Sequence, residues 1–240
     1  MMKYFILPLL LAPASAMAQV GVVDPISISG GVNIVSDYHS RGISLSNNKV
    51  AIQPSISVTH ESGVYVGAWG SNTANTPRSG HVEVELYGGY STEIASGTNL
   101  DVGLHYYVPS GQTAYGHSDM LEVQGAVSHM LGPVEVVGQL AYSWDQTSLG
   151  QDNVYASIAL NGALPNTPVT LISRMGYQDG ALASLAPKDR YWEWTLGATA
   201  VLGPVVAGVR YADTDIPKSG VKAVDKLYSP RVIFSLGTYF

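Results

Sequence analysis

The sequence contains no cysteine, and only 12% of its 240 residues are charged. The lack of cysteine excludes disulfide bonds and thiol nucleophiles, so the fold must be held by a packed core or by surrounding lipid. The charged fraction is about half that of an average soluble protein. With a net charge of −6, the chain also lacks the basic surface that nucleic-acid binding requires.

Long apolar runs are also missing. After residue 18 no stretch approaches the twenty or so apolar residues that a transmembrane helix needs. Residues 1–18, MMKYFILPLLLAPASAMA, combine an early lysine, a short apolar run and a closing Ala-Met-Ala. This pattern is typical of a cleaved secretory signal. We therefore predict a signal peptide at 1–18 and one exported domain at 19–240.

What the sequence does contain is strict alternation of apolar and polar residues, which is typical of strands with two different faces. The segment VEVVGQLAYSW is an example, with Val136, Leu140 and Tyr142 on one face and Gln139 and Ser143 on the other. We predict twelve strands, at 26–36, 50–60, 64–72, 81–91, 100–108, 119–131, 134–144, 152–161, 169–178, 189–202, 205–213 and 227–240.

The connections between these segments alternate in length. Short ones at 61–63, 92–99, 132–133, 162–168 and 203–204 interleave with longer, more polar ones at 37–49, 73–80, 109–118, 145–151, 179–188 and 214–226. Outer-membrane barrels have short periplasmic turns and longer external loops. The sequence thus predicts an all-β, antiparallel up-and-down barrel of about twelve strands. A soluble β-sandwich is the alternative, but its polar surface would carry more lysine than this chain has.

The chain ends in RVIFSLGTYF, which predicts a closing strand whose outward face holds Phe234, Leu236 and Phe240. A C-terminal aromatic after alternating apolar residues also resembles the signal that outer-membrane proteins present to their insertion machinery. We also expect Tyr and Trp residues near strand ends, including Trp144 and Tyr228, to form belts at the membrane interfaces.

The stretch VSDYHSRGISLSNNKVAIQPSISVTHESGVYVGAWGSN resembles the TorF family of proteobacterial porins. The shared elements are SDY and RGIS in residues 36–44, AIQ at 51–53 and WGSN at 69–72. The chain departs from the family pattern at His39, Ser40, Leu45 and Val50. The resemblance implies an outer-membrane pore and transfers no catalytic residue or substrate.

The segment SDYHSRGIS is predicted to form the first external loop. Asp37 and Arg41 are four residues apart and could pair across it, with Tyr38 between them. One interpretation is a loop folded into the pore mouth as a constriction. The other is a self-bonded cap that shields the end of the barrel.

Charged residues at inward strand positions are the candidate pore-lining groups. Acids are predicted on one wall and arginines on the opposite wall, with one further acid between the arginines: Glu83, Glu85, Glu122, Arg174, Glu193, Arg210 and Arg231. They could form a transverse field along a solute path or pair with each other and fill the lumen. With Asp101 and Glu135 included, six acids face three arginines, which predicts a mild preference for cations.

The sequence gives little support for catalysis. Its six histidines are scattered, and no HExxH or other metal-ligand spacing occurs. We therefore expect no catalytic residues, no metal and no cofactor. A passive porin for small polar solutes or ions, in contact with outer-membrane lipid, is the favoured function. A structural or adhesin-like barrel with a plugged lumen and an outer-membrane enzyme are the alternatives.

Overall fold

The computed structural model describes residues 22–23, 25–76, 80–113 and 116–240. The predicted signal peptide and part of the predicted loops at 73–80 and 109–118 lie outside these residues. The described chain forms twelve long strands: β1 Ile26–Val35, β2 Ala51–His60, β3 Val64–Thr76, β4 Gly80–Ala95, β5 Thr98–Pro109, β6 Met120–Leu131, β7 Val134–Ser143, β8 Asn153–Ala163, β9 Val169–Gly180, β10 Arg190–Leu202, β11 Val205–Thr214 and β12 Arg231–Tyr239.

Each strand pairs antiparallel with the next one along the chain, and β12 pairs with β1 to close the barrel. At the closure Leu236 lies opposite Ile34. Phe240 and Gly30 exchange two backbone hydrogen bonds, each 2.9 Å from nitrogen to oxygen. The prediction of a closed twelve-stranded antiparallel barrel is therefore confirmed.

The two faces of the wall have opposite chemistry. Large apolar side chains cover the outside, for example Ile158 at 53% exposed and Phe234 at 60%. The fully buried side chains inside include charged and amide groups, such as Glu122, Gln178 and Glu193. A water-soluble protein has the reverse arrangement. The exterior suits lipid, and the faces follow the alternation in the sequence.

Long loops and short turns segregate to opposite ends of the barrel, which we call the loop end and the turn end. At the turn end the connections 132–133 and 203–204 are the Gly-Pro part of the repeated LGP motif, and Gly132 and Gly203 have positive φ angles, of 62° and 65°. Open space surrounds both glycines. The backbone conformation, which favours glycine, therefore explains the repeat.

Several predicted boundaries were wrong. The predicted turn at 92–99 shrinks to residues 96–97, because β4 and β5 pair almost to their ends. Strand β3 extends to Thr76, well beyond the predicted end at residue 72. Strand β12 begins at Arg231, and the residues before it form a loop that contains a short helical turn, Lys222–Asp225.

Several shorter elements lie outside the twelve strands, most of them at the loop end. A two-residue hairpin in the first loop pairs His39–Ser40 with Ile43–Ser44, and a second pairs Gln112–Thr113 with Gly116–His117. Single 3-10 turns at Ala181–Ala183 and Pro187–Asp189 connect β9 to β10. At the turn end Val22–Val23 pairs back onto the start of β1. None of the helical segments among the described residues is long and apolar enough to cross a membrane.

A belt of tyrosine–aspartate pairs surrounds the loop end on the outer face. In each pair the tyrosine hydroxyl donates to the carboxylate over 2.6 to 2.9 Å: Tyr106–Asp119, Tyr142–Asp152, Tyr177–Asp179 and Tyr211–Asp213. Such rings, with an apolar body and a polar tip, fit the headgroup level of a bilayer. Tyr228 does not join this belt, because it belongs to the loop that precedes β12 and is buried against Tyr191 and Ile216, at 1% exposed.

A matched pair of substitutions tests the two faces. Ile158 points outward and pairs with Gly138, while the next residue of β7, Gln139, points inward at the same level. We expect Ile158→Arg to lower the free energy of unfolding by about 2–4 kcal/mol, because it places a charge in the hydrocarbon region. Gln139→Arg should have little effect. Urea unfolding in lipid vesicles measures both, and equal tolerance of the two changes would contradict the assignment of faces.

Candidate functional site in the barrel interior

The first loop, residues 36–50, turns into the barrel instead of projecting away from it. Its tip lies at Arg41 and Gly42, which have φ angles of 49° and 81°. A side chain at Gly42 would begin 2.5 Å from Thr214 Cγ2 and 2.9 Å from Glu193 Cβ, both on the barrel wall. Glycine is therefore required here both for the turn and for the close approach to the wall.

Asp37 organises the base of this loop. Its carboxylate accepts hydrogen bonds from Ser44 Oγ at 2.6 Å and Ser46 Oγ at 2.8 Å, and His39 Nε2 lies 2.9 Å from it. Burial opposes ionisation of Asp37. The hydrogen bonds from His39 and Ser44 and the electrostatic attraction of His39 outweigh it and lower the pKa of the carboxyl. Arg231 Nε is 3.9 Å away, so the loop base also contacts β12.

Arg41 connects the loop tip to the opposite wall. Its Nη2 atom donates to both oxygens of Glu122, at 2.6 and 2.8 Å, and its Nη1 atom donates to Gln178 Oε1 at 3.1 Å. The guanidinium also lies 4.6 Å from the centre of the Tyr155 ring. The hydroxyl of Tyr191 donates to the Arg41 carbonyl at 2.8 Å. The loop tip is thus fixed to β6, β8, β9 and β10.

Tyr38 holds the other side of the loop. Its hydroxyl donates to Glu83 Oε1 on β4 at 2.8 Å, and its ring packs edge-on against Trp69 with 5.4 Å between centres. Tyr38 and Trp69 are both buried, at 6% and 5% exposed. The three residues that the sequence singled out in this loop, Asp37, Tyr38 and Arg41, therefore all contact the barrel wall.

The wall carries further charged contacts. Arg174 Nε lies 3.0 Å from Glu193, and Tyr155 donates to the same carboxylate at 2.7 Å. Glu85 pairs with His105 on the neighbouring strand. Glu193 therefore pairs with Arg174, as one of the two interpretations of the sequence expected, but it makes no ion pair with Arg210.

All seven predicted lumen residues point into the barrel, but they do not meet across open water. The first loop lies between the acidic wall of β4–β6 and the arginines of β9–β12. It supplies Arg41 to Glu122 and the Tyr38 hydroxyl to Glu83. The expected pairing of Asp37 with Arg41 is not formed. Sequence reasoning missed these partners because they are 81 and 45 residues apart, and no local pattern links them.

A cavity of about 170 Å³ remains beside the loop. It is bounded by the loop tip, by Trp69 and Tyr107, and by the wall of β9–β12. Its lining includes amides and hydroxyls from five strands: Asn33, Gln53, Gln139, Thr195, Thr199 and Ser235. The described residues contain no group of three or more His, Asp or Glu side chains placed to hold a metal ion.

The Arg41–Glu122 pair allows a direct energetic test. Glu122 is fully buried, so Arg41→Gln leaves its charge without a cationic partner and should cost about 3–5 kcal/mol of unfolding free energy. Adding Glu122→Gln removes that charge, so the double variant should be more stable than Arg41→Gln alone. Urea unfolding in vesicles measures both. Costs that simply add would show that the two side chains do not interact.

Comparison with solved structures identifies the same architecture. The barrel superimposes on the NanC porin with a TM-score of 0.58 at 10% identity, covering 89% of this chain and 98% of that one. For the KdgM porin, solved with disordered oligogalacturonate, the values are 0.57, 8%, 89% and 97%. An outer membrane channel from Pseudomonas putida F1 gives 0.55 and 11%, covering 96% of this chain and 100% of that one.

The fold is therefore that of outer-membrane porins and channels. Identities this low carry no residue roles from those proteins to this chain. No curated protein matches the sequence. Residues 19–240 match a family described as a bacterial protein of unknown function (Gcw_chp). The match covers the whole chain except the first 18 residues, and the protein belongs to this Gcw_chp family.

Proposed function

We propose that the protein is an outer-membrane channel for passive diffusion of small polar solutes and ions, narrowed by its first loop. The observation that carries this proposal is the combination of an apolar outer surface with a polar interior that still encloses a cavity. A barrel that only anchored other structures would have no need for cavity-facing amides, hydroxyls and arginines. The fold shared with porins and channels supports the same function.

On this proposal the chain is exported, inserted into the outer membrane and related to the TorF porins. Residues 1–18 would direct export and be removed. The insertion machinery would recognise Phe240, which directly follows β12. The loop end would face outward and the turn end the periplasm. The SDY, RGIS and WGSN segments support placement within the TorF porins. Lipid and small solutes are the partners, and catalysis has no part in the function.

Pore-lining roles follow from this function. Seven inward side chains would set the electric field along the solute path through the lumen: Glu83, Glu85, Glu122, Arg174, Glu193, Arg210 and Arg231. Asp37, Tyr38 and Arg41 would hold the constriction. Asp37 and Arg41 of the first loop add one charge of each sign to the inward groups predicted from the sequence, which gives seven acids (Asp37, Glu83, Glu85, Asp101, Glu122, Glu135, Glu193) and four arginines (Arg41, Arg174, Arg210, Arg231). The difference, 7 − 4 = 3 negative charges with neutral histidines, favours cations.

A plugged structural barrel is the second candidate. It is favoured by the fully buried Glu122 at the end of the Arg41 bridge, because a side chain without solvent contact borders no open path. The two candidates differ in the current that the unmodified protein carries. A channel conducts with the loop in place, whereas a plugged barrel conducts only after the loop is removed.

Replacing residues 39–43 with a five-residue Gly–Ser segment tests the constriction. We expect a conducting wild-type protein and a larger single-channel conductance in the variant, because the Arg41 bridge is lost. The matched control replaces residues 217–221, in an exposed part of the loop before β12, and should conduct like wild type. Planar-bilayer recording gives the answer. No current from a folded variant would refute the channel, and current only from the variant would establish the plug.

Ion preference is a separate prediction. Across a potassium chloride gradient, the reversal potential of wild type should have the sign of a cation-preferring pore. Glu83→Gln should reduce its magnitude, because it removes a carboxylate that pairs with the Tyr38 hydroxyl and with no cation among the described residues. The control Glu61→Gln lies in an exposed turn and should leave the reversal potential unchanged. An anion-preferring wild type would refute this part of the proposal.

A further inference from the structure

Arg210 is an arginine inside the barrel that has no hydrogen-bond or ion-pair partner among the described residues. Arg41 and Arg174 contact carboxylates at 2.6 and 3.0 Å, and Arg231 lies 3.9 Å from a third. Arg210, on the inward face of β11, makes no hydrogen bond or ion pair with any described residue, yet it lines the cavity. An inward guanidinium without a carboxylate costs folding free energy unless water or a solute accepts its hydrogen bonds. Its five N–H donors are therefore available to a solute.

The wall around Arg210 carries further unused hydrogen-bonding groups. Thr199 on β10 is 7% exposed, and its buried Oγ1 atom has no hydrogen-bond partner. Ser235 on β12 lines the same cavity. Register brings these side chains together, because Gly208 pairs with Thr199 on one side and with Ser235 on the other. Arg210 follows two residues later on the same face of β11.

Two glycines let these side chains lie close against the strand backbone. A Cβ atom at position 208 would begin 2.4 Å from Ser235 Oγ and 3.3 Å from Thr199 Cγ2. A Cβ atom at position 197, directly opposite Arg210, would begin 2.8 Å from Arg210 Cβ. Arg210, Thr199 and Ser235 therefore border one part of the cavity with one cation and two hydroxyls, and we call this part of the cavity the recess.

We propose that this recess, formed by Arg210, Thr199 and Ser235, binds the carboxylate of a small hydroxy acid as it crosses the lumen. A guanidinium binds a carboxylate through two parallel hydrogen bonds, which a spherical anion cannot accept. The hydroxyls of Thr199 and Ser235 can donate to the same carboxylate or accept from a hydroxyl beside it. The cavity of about 170 Å³ has room for a solute of a few heavy atoms.

This inference deepens the proposed channel function by naming a solute class. The acidic wall and the recess act on different parts of the path. The net negative lumen repels anions in general, and Arg210 supplies a local position where a carboxylate gains more from hydrogen bonds than it loses to repulsion. A channel built in this way would pass small cations by charge and hydroxy acids by specific binding.

The test uses L-lactate and its neutral counterpart L-lactamide, which have nearly the same shape. Saturation-transfer NMR on the detergent-solubilised, folded protein measures binding without requiring conduction. We expect a saturable signal from lactate and none from lactamide at the same concentration. Equal signals from the two, or no signal from lactate, would overturn the proposed site. If lactate binds but bilayers show no current, the recess stands and the channel function fails.

Substitutions then locate the site. Arg210→Gln should weaken lactate binding by about tenfold or more, because it removes a charge-assisted, bidentate contact. Thr199→Val keeps the side-chain shape, removes only the hydroxyl, and should weaken binding by about threefold. The control Arg190→Gln lies at an exposed position at the start of β10 and should bind lactate like wild type. If Arg210→Gln does not fold, Arg210→Lys and Thr199→Val decide. Wild-type affinity in both would overturn the assignment.

Discussion

The structure depends on closure of the backbone between β12 and β1. In lipid every strand edge must be hydrogen-bonded, because no water is present to satisfy an open N–H or C=O group. The register that pairs Leu236 with Ile34 and the two Phe240–Gly30 hydrogen bonds meet this requirement. An even number of strands is needed for this antiparallel closure. Once the wall is closed, the outward side chains need only be apolar, and the inward ones are free to be polar.

Closure creates the second constraint, which is the balance of charge inside a narrow barrel. The acidic side chains on β4–β6 would be costly without partners, and the wall itself supplies only some of them. The first loop supplies the rest by folding inward, with Arg41 bound to Glu122 and Tyr38 to Glu83. The loop is therefore both a structural partner of the wall and the narrowing element of the lumen. Arg210 lines the cavity and makes no hydrogen bond or ion pair with the part of the chain that the structure describes, which makes it well placed to contact a solute.

Most of the fold could be predicted from the sequence, because alternation and turn residues are local signals. They indicated twelve strands, the outward face of Leu140 and the inward face of Glu122. Strand ends were less predictable: residues near Ala95 look like a loop but are paired by the neighbouring strand. The contacts of the candidate site were not predictable in detail. Arg41 and Glu122 are far apart in the chain, and only the three-dimensional path of the loop brings them together. The position of Tyr228 was predicted wrongly because this residue belongs to a loop, and the Tyr191 ring that buries it is distant in the sequence.

The most direct test of this account is chemical modification of the loop tip during current recording. The chain has no cysteine, so a single Ser40→Cys substitution introduces one reactive group, on a residue that lines the cavity. A charged methanethiosulfonate reagent should then lower the single-channel current. The same reagent should leave a Ser62→Cys variant, modified in an exposed turn, unchanged. Complete modification of residue 40, verified by mass spectrometry, without any change in current would contradict the placement of the first loop in the conducting path.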